Sequence, residues 1–182
     1  MASVVVIYHS GYGHTAKQAE AVAAGAKADL IAIDANGDIT EADWAKLDAA
    51  KAIIFGSPTY MGSVSWQFKK FADASSKAWF TQKWKNKIFA GFTNSATMNG
   101  DKFSTIQYLF TLAMQHSGVW VGTGLMPANT KAAKHGDVNF VGGFAGALMT
   151  SPSDALADEV NKGDLETARL LGVRVAEFAA KI

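Results

Sequence analysis

The chain has 182 residues, enough for one compact domain with a sizeable core. Its 17 Lys and Arg against 16 Asp and Glu leave a formal net charge of +1, which disfavours nucleic acid and anionic membranes as partners. Because it has no cysteine, it can form no disulfide, thiolate metal site or cysteine nucleophile, and any redox chemistry requires a bound cofactor.

The N-terminal run, residues 1–11, is short, apolar and β-branched and lacks a basic segment. These features predict a buried strand rather than a signal peptide. The sequence also contains no run of the roughly 20 apolar residues that a membrane helix needs. We therefore expect a cytoplasmic protein without membrane insertion.

Apolar runs rich in β-branched residues alternate along the chain with stretches of helical periodicity. The predicted strands are SVVVIYH, DLIAIDA, KAIIFGS, KIFAGFTNS and GVWVGTG. The predicted helices cover residues 14–26, 42–47, 65–79, 102–117 and 165–180. Because the strands lack polar alternation, both faces of the sheet should be covered, which indicates a parallel sheet between two helix layers. We expect one doubly wound α/β domain, residues 1–182, with five strands.

Residues 125–152 carry only a weak strand or helix signal, so they are predicted to form a long loop. Loops of this length in compact domains are commonly functional. A surface excursion without a role is the alternative.

The segment HSGYGHT, residues 9–15, joins the first predicted strand to the first helix. Its two hydroxyl side chains, its two glycines and the free N–H groups of a helix N-terminus suit a phosphate dianion. The segment lacks the GK[ST] ending of a nucleoside triphosphate loop, which disfavours ATP or GTP. An ordinary glycine-rich turn remains the alternative at this point.

A dinucleotide site is a competing interpretation, because Gly11, Gly13 and Ala16 match GxGxxA and Asp34 closes the second strand. Two further polar loops oppose it, namely residues 56–62 after the third strand and 93–100 after the fourth. In a sheet ordered 2-1-3-4-5 these loops meet at the topological switch point, where ligands bind. A mononucleotide fits there, with its phosphate in the first loop and its planar ring between the others.

The segments HSGYGHT, AIIFGSPTYMGSVSWQFKKFAD and GGFAG resemble the flavodoxin-like superfamily, specifically the WrbA-like NAD(P)H:quinone oxidoreductases. The resemblance covers nearly the whole chain. It implies a three-layer flavodoxin-like fold with strand order 2-1-3-4-5 and helices on both faces. It also implies FMN as cofactor, NADH or NADPH as co-substrate, a quinone or flavin as small-molecule acceptor, and a homodimer or homotetramer.

By position, the resemblance assigns FMN-binding residues to the three loops. The first loop would hold the phosphate through Ser10, Gly11, Tyr12, Gly13, His14 and Thr15. The second would line the isoalloxazine ring through Pro58, Thr59, Tyr60, Met61 and Gly62. The third would close the other side of the ring through Asn94, Ser95, Ala96, Thr97 and Gly100.

Two further positions are candidate catalytic residues by resemblance. Trp79 stands where the family has a tryptophan that reaches a neighbouring subunit's flavin, and His116 lies near the family's histidine before the fifth strand. The four histidines are scattered without HExxH spacing, so no metal site is expected.

The chain departs from the WrbA pattern in the third loop, which reads NSATMNGD instead of being glycine-rich. It also lacks the family's insertion after the second strand. The expected function is an FMN-dependent oxidoreductase that passes electrons from NAD(P)H to a quinone or similar planar acceptor in two steps. The alternatives are a flavodoxin-type electron carrier, a binding module that has lost its flavin, and a dinucleotide enzyme that uses Asp34.

Overall fold

The structure is a computed structural model that describes residues 3–182. Met1 and Ala2, which belong to the predicted N-terminal run and to the predicted domain, lie outside the described residues. The strands are β1 (Val4–Tyr8), β2 (Asp29–Ala32), β3 (Ala52–Tyr60), β4 (Ser63–Val64), β5 (Ile88–Ser95), β6 (Val119–Trp120) and β7 (Ala147–Thr150). The helices are α1 (His14–Ala26), α2 (Glu41–Ala49), α3 (Trp66–Ala74), α4 (Ser76–Phe80), α5 (Lys102–Gln115) and α6 (Lys162–Ala179).

The strands form one sheet whose main path runs β2-β1-β3-β5-β6, with all these neighbours parallel. Val6 of β1 pairs with Ile54 of β3, which pairs in turn with Ala90 of β5. Two further strands lie off this path, because β4 pairs antiparallel with the end of β3 and β7 pairs parallel with β5. The predicted α/β class and parallel sheet are confirmed, but the prediction of five strands is wrong, since the sheet within residues 3–182 has seven and its order differs in detail.

The difference arises mainly at the fifth sheet position. The prediction placed one strand over residues 118–124, but β6 ends at Trp120 and pairs only with the start of β5. The chain then leaves the sheet through Gly124, which has a left-handed φ of 65°, and returns as β7 beside the end of β5. Part of the predicted loop 125–152 is therefore a strand, and β6 and β7 share one edge of the sheet.

Alternate residues of each central strand pack into opposite helix layers. Val5 and Phe55 belong to the core beneath α2, α3 and α5, whereas Val6 and Ile54 belong to the core beneath α1 and α6. Helices α1 and α6 cross closely at Gly172, where a side chain would collide with the backbone of α1. None of the helices within residues 3–182 is long and apolar enough to cross a membrane.

The helix predicted over residues 65–79 is divided in the structure into α3 and α4. The division falls at Ser75, whose hydroxyl donates to the carbonyl of Ala72 at 2.6 Å and also contacts His116. A serine side chain that bonds its own helix backbone competes with the helical pattern, which accounts for the break. Ser65 caps the start of α3 by accepting from the N–H of Phe68 at 3.3 Å.

Candidate functional site

A cavity of about 390 Å³ opens at the carboxyl ends of β1, β3 and β5, a volume typical of small-molecule sites. Its walls come from the three predicted loops and from the segment after β7. The lining residues are Tyr12, His14, Thr15, Pro58, Thr59, Tyr60, Asn94, Ser95, Ala96, Ser151 and Ser153. None of these is acidic, so the walls carry no charge that would repel an anion.

The turn between β1 and α1 is built around Ser10 and Gly13. The Ser10 hydroxyl oxygen accepts from the backbone N–H groups of Gly13 at 3.1 Å and Ala16 at 3.2 Å. Gly13 caps α1 with φ at 91°, a conformation that glycine adopts without strain. No acidic residue stands in the first turn of α1, so no carboxylate there offsets the positive end of the helix dipole, which lies at the cavity beside Thr15.

His14 connects this turn to the segment after β7. Its Nε2 donates to the carbonyl oxygen of Ala155 at 2.8 Å. The same segment approaches Gly13 so closely that a Cβ there would lie 2.8 Å from the Cβ of Ala157. The loop after β7 therefore packs against the β1–α1 turn.

The second wall is the end of β3, which buried hydroxyl groups hold in place. Thr59 Oγ1 lies 2.8 Å from Thr93 Oγ1 on β5 and 2.8 Å from Thr105 Oγ1 on α5. Ser57 Oγ accepts from the backbone N–H of Ser65 at 3.0 Å, which ties β3 to the start of α3. These contacts fix the wall against the sheet and α5.

Tyr60 extends from this wall over the first loop. A Cβ on Gly11 would lie 2.5 Å from the Tyr60 phenol oxygen, so a side chain there would displace the ring from this position. The ring of Tyr12 meets that of Tyr60 edge-on at 6.2 Å between centroids. Burial, with a smaller contribution from Tyr12, raises the pKa of the Tyr60 phenol above its ordinary value, so the phenol is neutral near pH 7.

The third wall joins the ends of β5 and β7. Ser151 Oγ donates to Asn94 Oδ1 at 2.8 Å, and the Ser151 N–H donates to the carbonyl of Ser95 at 3.1 Å. Below this wall, the buried ammonium of Lys102 donates to the carbonyl oxygens of Thr97 and of Met98.

Nine predicted residues line the cavity directly. The others lie behind it or beside it: Ser10, Gly11 and Gly13 shape the first turn, Met61 and Gly62 form an exposed turn, and Thr97 and Gly100 belong to the loop before α5. The sequence prediction missed Ser151 and Ser153. Their signal is a pair of hydroxyl residues close after the short apolar run of β7.

Trp79 and His116 lie elsewhere in this chain. Both line a second cavity of about 260 Å³ near α4 and the end of α5, which shares no lining residue with the first. His116 is buried against Ser75 and Trp84, whereas the Trp79 ring is 44% exposed. Within one chain the structure does not bring them to the strand-end cavity, and their roles in a multimer stay predictions.

Asp34, the basis of the dinucleotide interpretation, also lies away from the cavity. Its Oδ1 accepts from the backbone N–H groups of Asn36 and Asp38, each at 2.8 Å. These bonds lower the pKa of its carboxyl below the ordinary value, and the bond from Asp38 contributes most. The carboxylate closes its own turn and has no role at the strand ends.

The residues around the cavity fit FMN by the chemistry of their donors. A helix N-terminus without acidic residues and with two hydroxyl groups nearby suits a phosphate dianion. Tyr60, Pro58 and Ala96 suit a planar ring. Gly11 and Gly13 let Tyr60 and Ala157 pack closely against the first turn, where a Cβ would meet them.

The family model for NADPH-dependent FMN reductases matches residues 9–132. Flavodoxin FldP of Pseudomonas aeruginosa is 54% identical over 182 residues, covering 100% of this chain and 99% of the relative. An NAD(P)H dehydrogenase (quinone) of Rhizobium rhizogenes is 31% identical over 201 residues, with 100% and 99% covered.

Among solved structures, the flavodoxin, WrbA-like protein from Agrobacterium tumefaciens has a TM-score of 0.84 and 54% identity, covering 100% of this chain and 99% of that chain. An archaeal flavodoxin, at a TM-score of 0.64 and 19% identity over 98% and 99% of the two chains, shares the fold. The chain therefore belongs to the NADPH-dependent FMN reductase family, as a flavodoxin-like protein of the WrbA type.

Proposed function

We propose that residues 1–182 form a single FMN-binding domain that passes electrons from NADH or NADPH to a quinone or flavin acceptor. The observation that carries this proposal is the single cavity in which all three predicted loops meet, with no acidic residue among its lining. The family membership supports it, because relatives in the same family include NAD(P)H dehydrogenases (quinone).

In this proposal the β1–α1 turn holds the FMN phosphate. The hydroxyl of Thr15 and the backbone N–H groups at the start of α1 donate to it, and the helix dipole stabilises its charge. Ser10 keeps the turn in shape through its two backbone bonds. Such a site needs no lysine or arginine, in agreement with the lining residues.

The ring lies between the Tyr60 wall and the wall of residues 94–96. Bound FMN supplies the redox chemistry, since it can take two electrons from a nicotinamide and give them to an acceptor. The protein excludes water on the inner side through buried Thr59 and Asn94. Tyr12, 80% exposed, and Met61, fully exposed, stand at the open side of the cavity. There they suit the stacking of a planar substrate such as a nicotinamide or quinone.

A flavodoxin-type electron carrier is the second candidate, because the P. aeruginosa relative at 54% identity is named a flavodoxin. Electron carriers of this kind are usually acidic, which steers them to basic partners. The net charge of +1 favours the reductase.

The test is a visible spectrum of the purified protein with FMN, followed by NADH or NADPH without oxygen. Bleaching of the bound flavin, and its return on adding a quinone, is the result expected of the reductase. Bound flavin that does not bleach would favour the carrier, and a protein that binds no FMN would contradict both.

A matched pair of variants tests the phosphate site. Thr15→Val removes one hydroxyl at the cavity and should weaken FMN binding about tenfold, as expected for a hydrogen bond to a charged group. Thr111→Val removes a hydroxyl at an exposed position of α5 and should leave the Kd unchanged. Equal affinities of the two variants would place the phosphate elsewhere.

We also propose that the chain forms a homodimer or homotetramer. Large apolar side chains stay exposed on α4 and α5, including Phe80 at 82% and Phe103 at 65%. Exposed apolar groups of this kind are typical of association surfaces. Analytical ultracentrifugation checks this proposal, and a monomer at micromolar concentration would contradict it.

A further inference from the structure

Lys102 is a buried cation directly below one wall of the cavity. The chain turns from the third loop into α5 through Gly100 and Asp101, both at φ 51°, so that the first residue of the helix is Lys102. Its side chain, in a residue only 1% exposed, reaches back to the carbonyl oxygens of Thr97 and Met98, the latter at 3.1 Å. The ammonium thus holds the loop that follows Ser95 and Ala96.

On its other side Lys102 faces α6. Asp164, 1% exposed, is the charged group that attracts it, and this attraction partly offsets the cost of burial. Asp164 Oδ2 accepts from the Thr150 N–H and from His135 Nε2, both at 3.0 Å. Its Oδ1 has no hydrogen-bond partner among the described residues. Neither bond of Asp164 is to Lys102, so within residues 3–182 the ammonium donates only to the carbonyls of the loop.

A second buried lysine makes the same kind of contact far from the cavity. Lys87 is 8% exposed and donates to carbonyl oxygens at the end of α2, those of Leu47 at 3.2 Å and Asp48 at 2.7 Å among them. It stands before the start of β5, whereas Lys102 follows the loop at the other end. Both lysines are buried and donate to backbone carbonyl oxygens, but only Lys102 lies beside the cavity. Lys87 is therefore the control.

We propose that Lys102 is a positioning residue of the FMN site, whose ammonium holds the loop of residues 95–100 and whose positive charge favours the reduced flavin over the oxidised one. The inference rests on the proposed FMN site. Hydride transfer from NAD(P)H carries two electrons and one proton to a neutral ring and leaves oxidised nicotinamide, so the ring gains one negative charge. A nearby cation in a partly dry environment stabilises that charge.

The experiment compares Lys102→Met with Lys87→Met in the FMN-loaded protein. The readout is the two-electron midpoint potential of bound flavin, measured by equilibration with a dye of known potential. Lys102→Met should weaken binding of reduced FMN, relative to oxidised FMN, at least tenfold, which corresponds to a fall of about 30 mV. Lys87→Met should leave the potential unchanged. Equal potentials in wild type and Lys102→Met would overturn the electrostatic role.

A pH series on the wild type tests the same charge, and the result for the wild type itself does not depend on either variant folding. Burial lowers the pKa of Lys102 to about 8. Above that pH, reduction should draw a proton onto Lys102, so the potential should fall more steeply with pH. The neighbouring titratable groups are Asp164, which faces Lys102, and His135, which donates a hydrogen bond to Asp164. Both are also present in Lys102→Met, so that variant controls for their titration. A steepening that persists in that variant, or is absent from the wild type, would overturn the proposal.

Hydrogen exchange without FMN separates this inference from the proposed function. The amides of residues 95–100 should exchange faster in Lys102→Met than in wild type or Lys87→Met. If no FMN binds but this difference is seen, the proposed function fails while the positioning of the loop stands. If FMN binds and the loop exchanges equally in all three proteins, the positioning role fails alone.

Discussion

The Nε2 atom of His116 lies 2.9 Å from the Oγ atom of Ser75. Because the single hydroxyl hydrogen of Ser75 is donated to the carbonyl of Ala72, its oxygen must accept from His116, which places the ring proton on Nε2. The other ring nitrogen, Nδ1, is buried without a partner among the described residues. Burial therefore keeps the ring neutral and lowers the pKa of His116 to about 4.

This arrangement predicts a loss of stability in acid. The folded-state pKa of about 4 lies below the ordinary value of 6.5, so the unfolded chain takes up the proton first. The contribution is complete above pH 6.5 and is lost as the pH falls toward 4, in total roughly 3 kcal/mol. Urea unfolding at a series of pH values measures it.

His116→Gln keeps a donor for Ser75 but does not titrate, so its free energy of unfolding should fall less between pH 6.5 and 4. His9, whose pKa burial also lowers, should leave a residual slope in this variant. A slope in His116→Gln equal to that of wild type would contradict the assignment.

Gly13→Ala should lower the free energy of unfolding by about 1 kcal/mol or more. A side chain is strained at φ 91°, and the new Cβ would meet Ala157 at 2.8 Å. Gly136→Ala is the matched control, since nothing lies within 4 Å of its Cβ position, and it should change the value by less than about 0.5 kcal/mol. Denaturant unfolding of both variants measures these free energies. Equal values for the two variants would show that the turn tolerates a side chain.

His14→Phe should loosen the loop after β7 while leaving the sheet intact. It removes the hydrogen bond to the Ala155 carbonyl, which contributes about 1 kcal/mol. Hydrogen exchange should therefore speed up in residues 151–161 and stay unchanged in the middle of α6. Unchanged exchange in residues 151–161 would mean that other contacts hold the loop.

Asp34→Ala should leave the Kd for FMN unchanged within about twofold, because this carboxylate bonds only its own turn in the structure. In a dinucleotide site the same carboxylate would bind a ribose, and its loss would cost about tenfold in affinity. Fluorescence titrations of wild type and variant with FMN and with NADH distinguish the two. A tenfold loss of NADH affinity with unchanged FMN affinity would revive the dinucleotide interpretation.

The sequence carried strong local signals for the elements that precede each wall of the site. The helix predicted over residues 14–26 is α1, His14–Ala26, because Gly13 starts it and its apolar spacing repeats with the helical period. The polar loops after β1, β3 and β5 could be located for the same reason, since each directly follows a long apolar run. Parallel pairing then brings them to one edge.

Elements whose identity depends on distant partners were not predictable in this way. The four residues of β7 form a strand because they pair with Phe92–Ser95 on β5, more than fifty positions earlier in the chain. That pairing, with the hydrogen bonds of Ser151 to Asn94 and Ser95, brings Ser151 to the cavity. No local pattern encodes the contact between Ser75, where the predicted helix 65–79 divides, and His116, which directly follows α5.

The sequence by itself determined the α/β class, the positions of the three polar loops and the absence of a cysteine-based redox centre, because composition and hydrophobic period are local properties. Only the tertiary structure decided that two short strands share the sheet edge, that Ser151 joins the site, and that Trp79 and His116 lie at another cavity. It also placed Lys102 below the third wall. These outcomes depend on contacts between residues far apart in the chain, which form only when the sheet and its helices assemble.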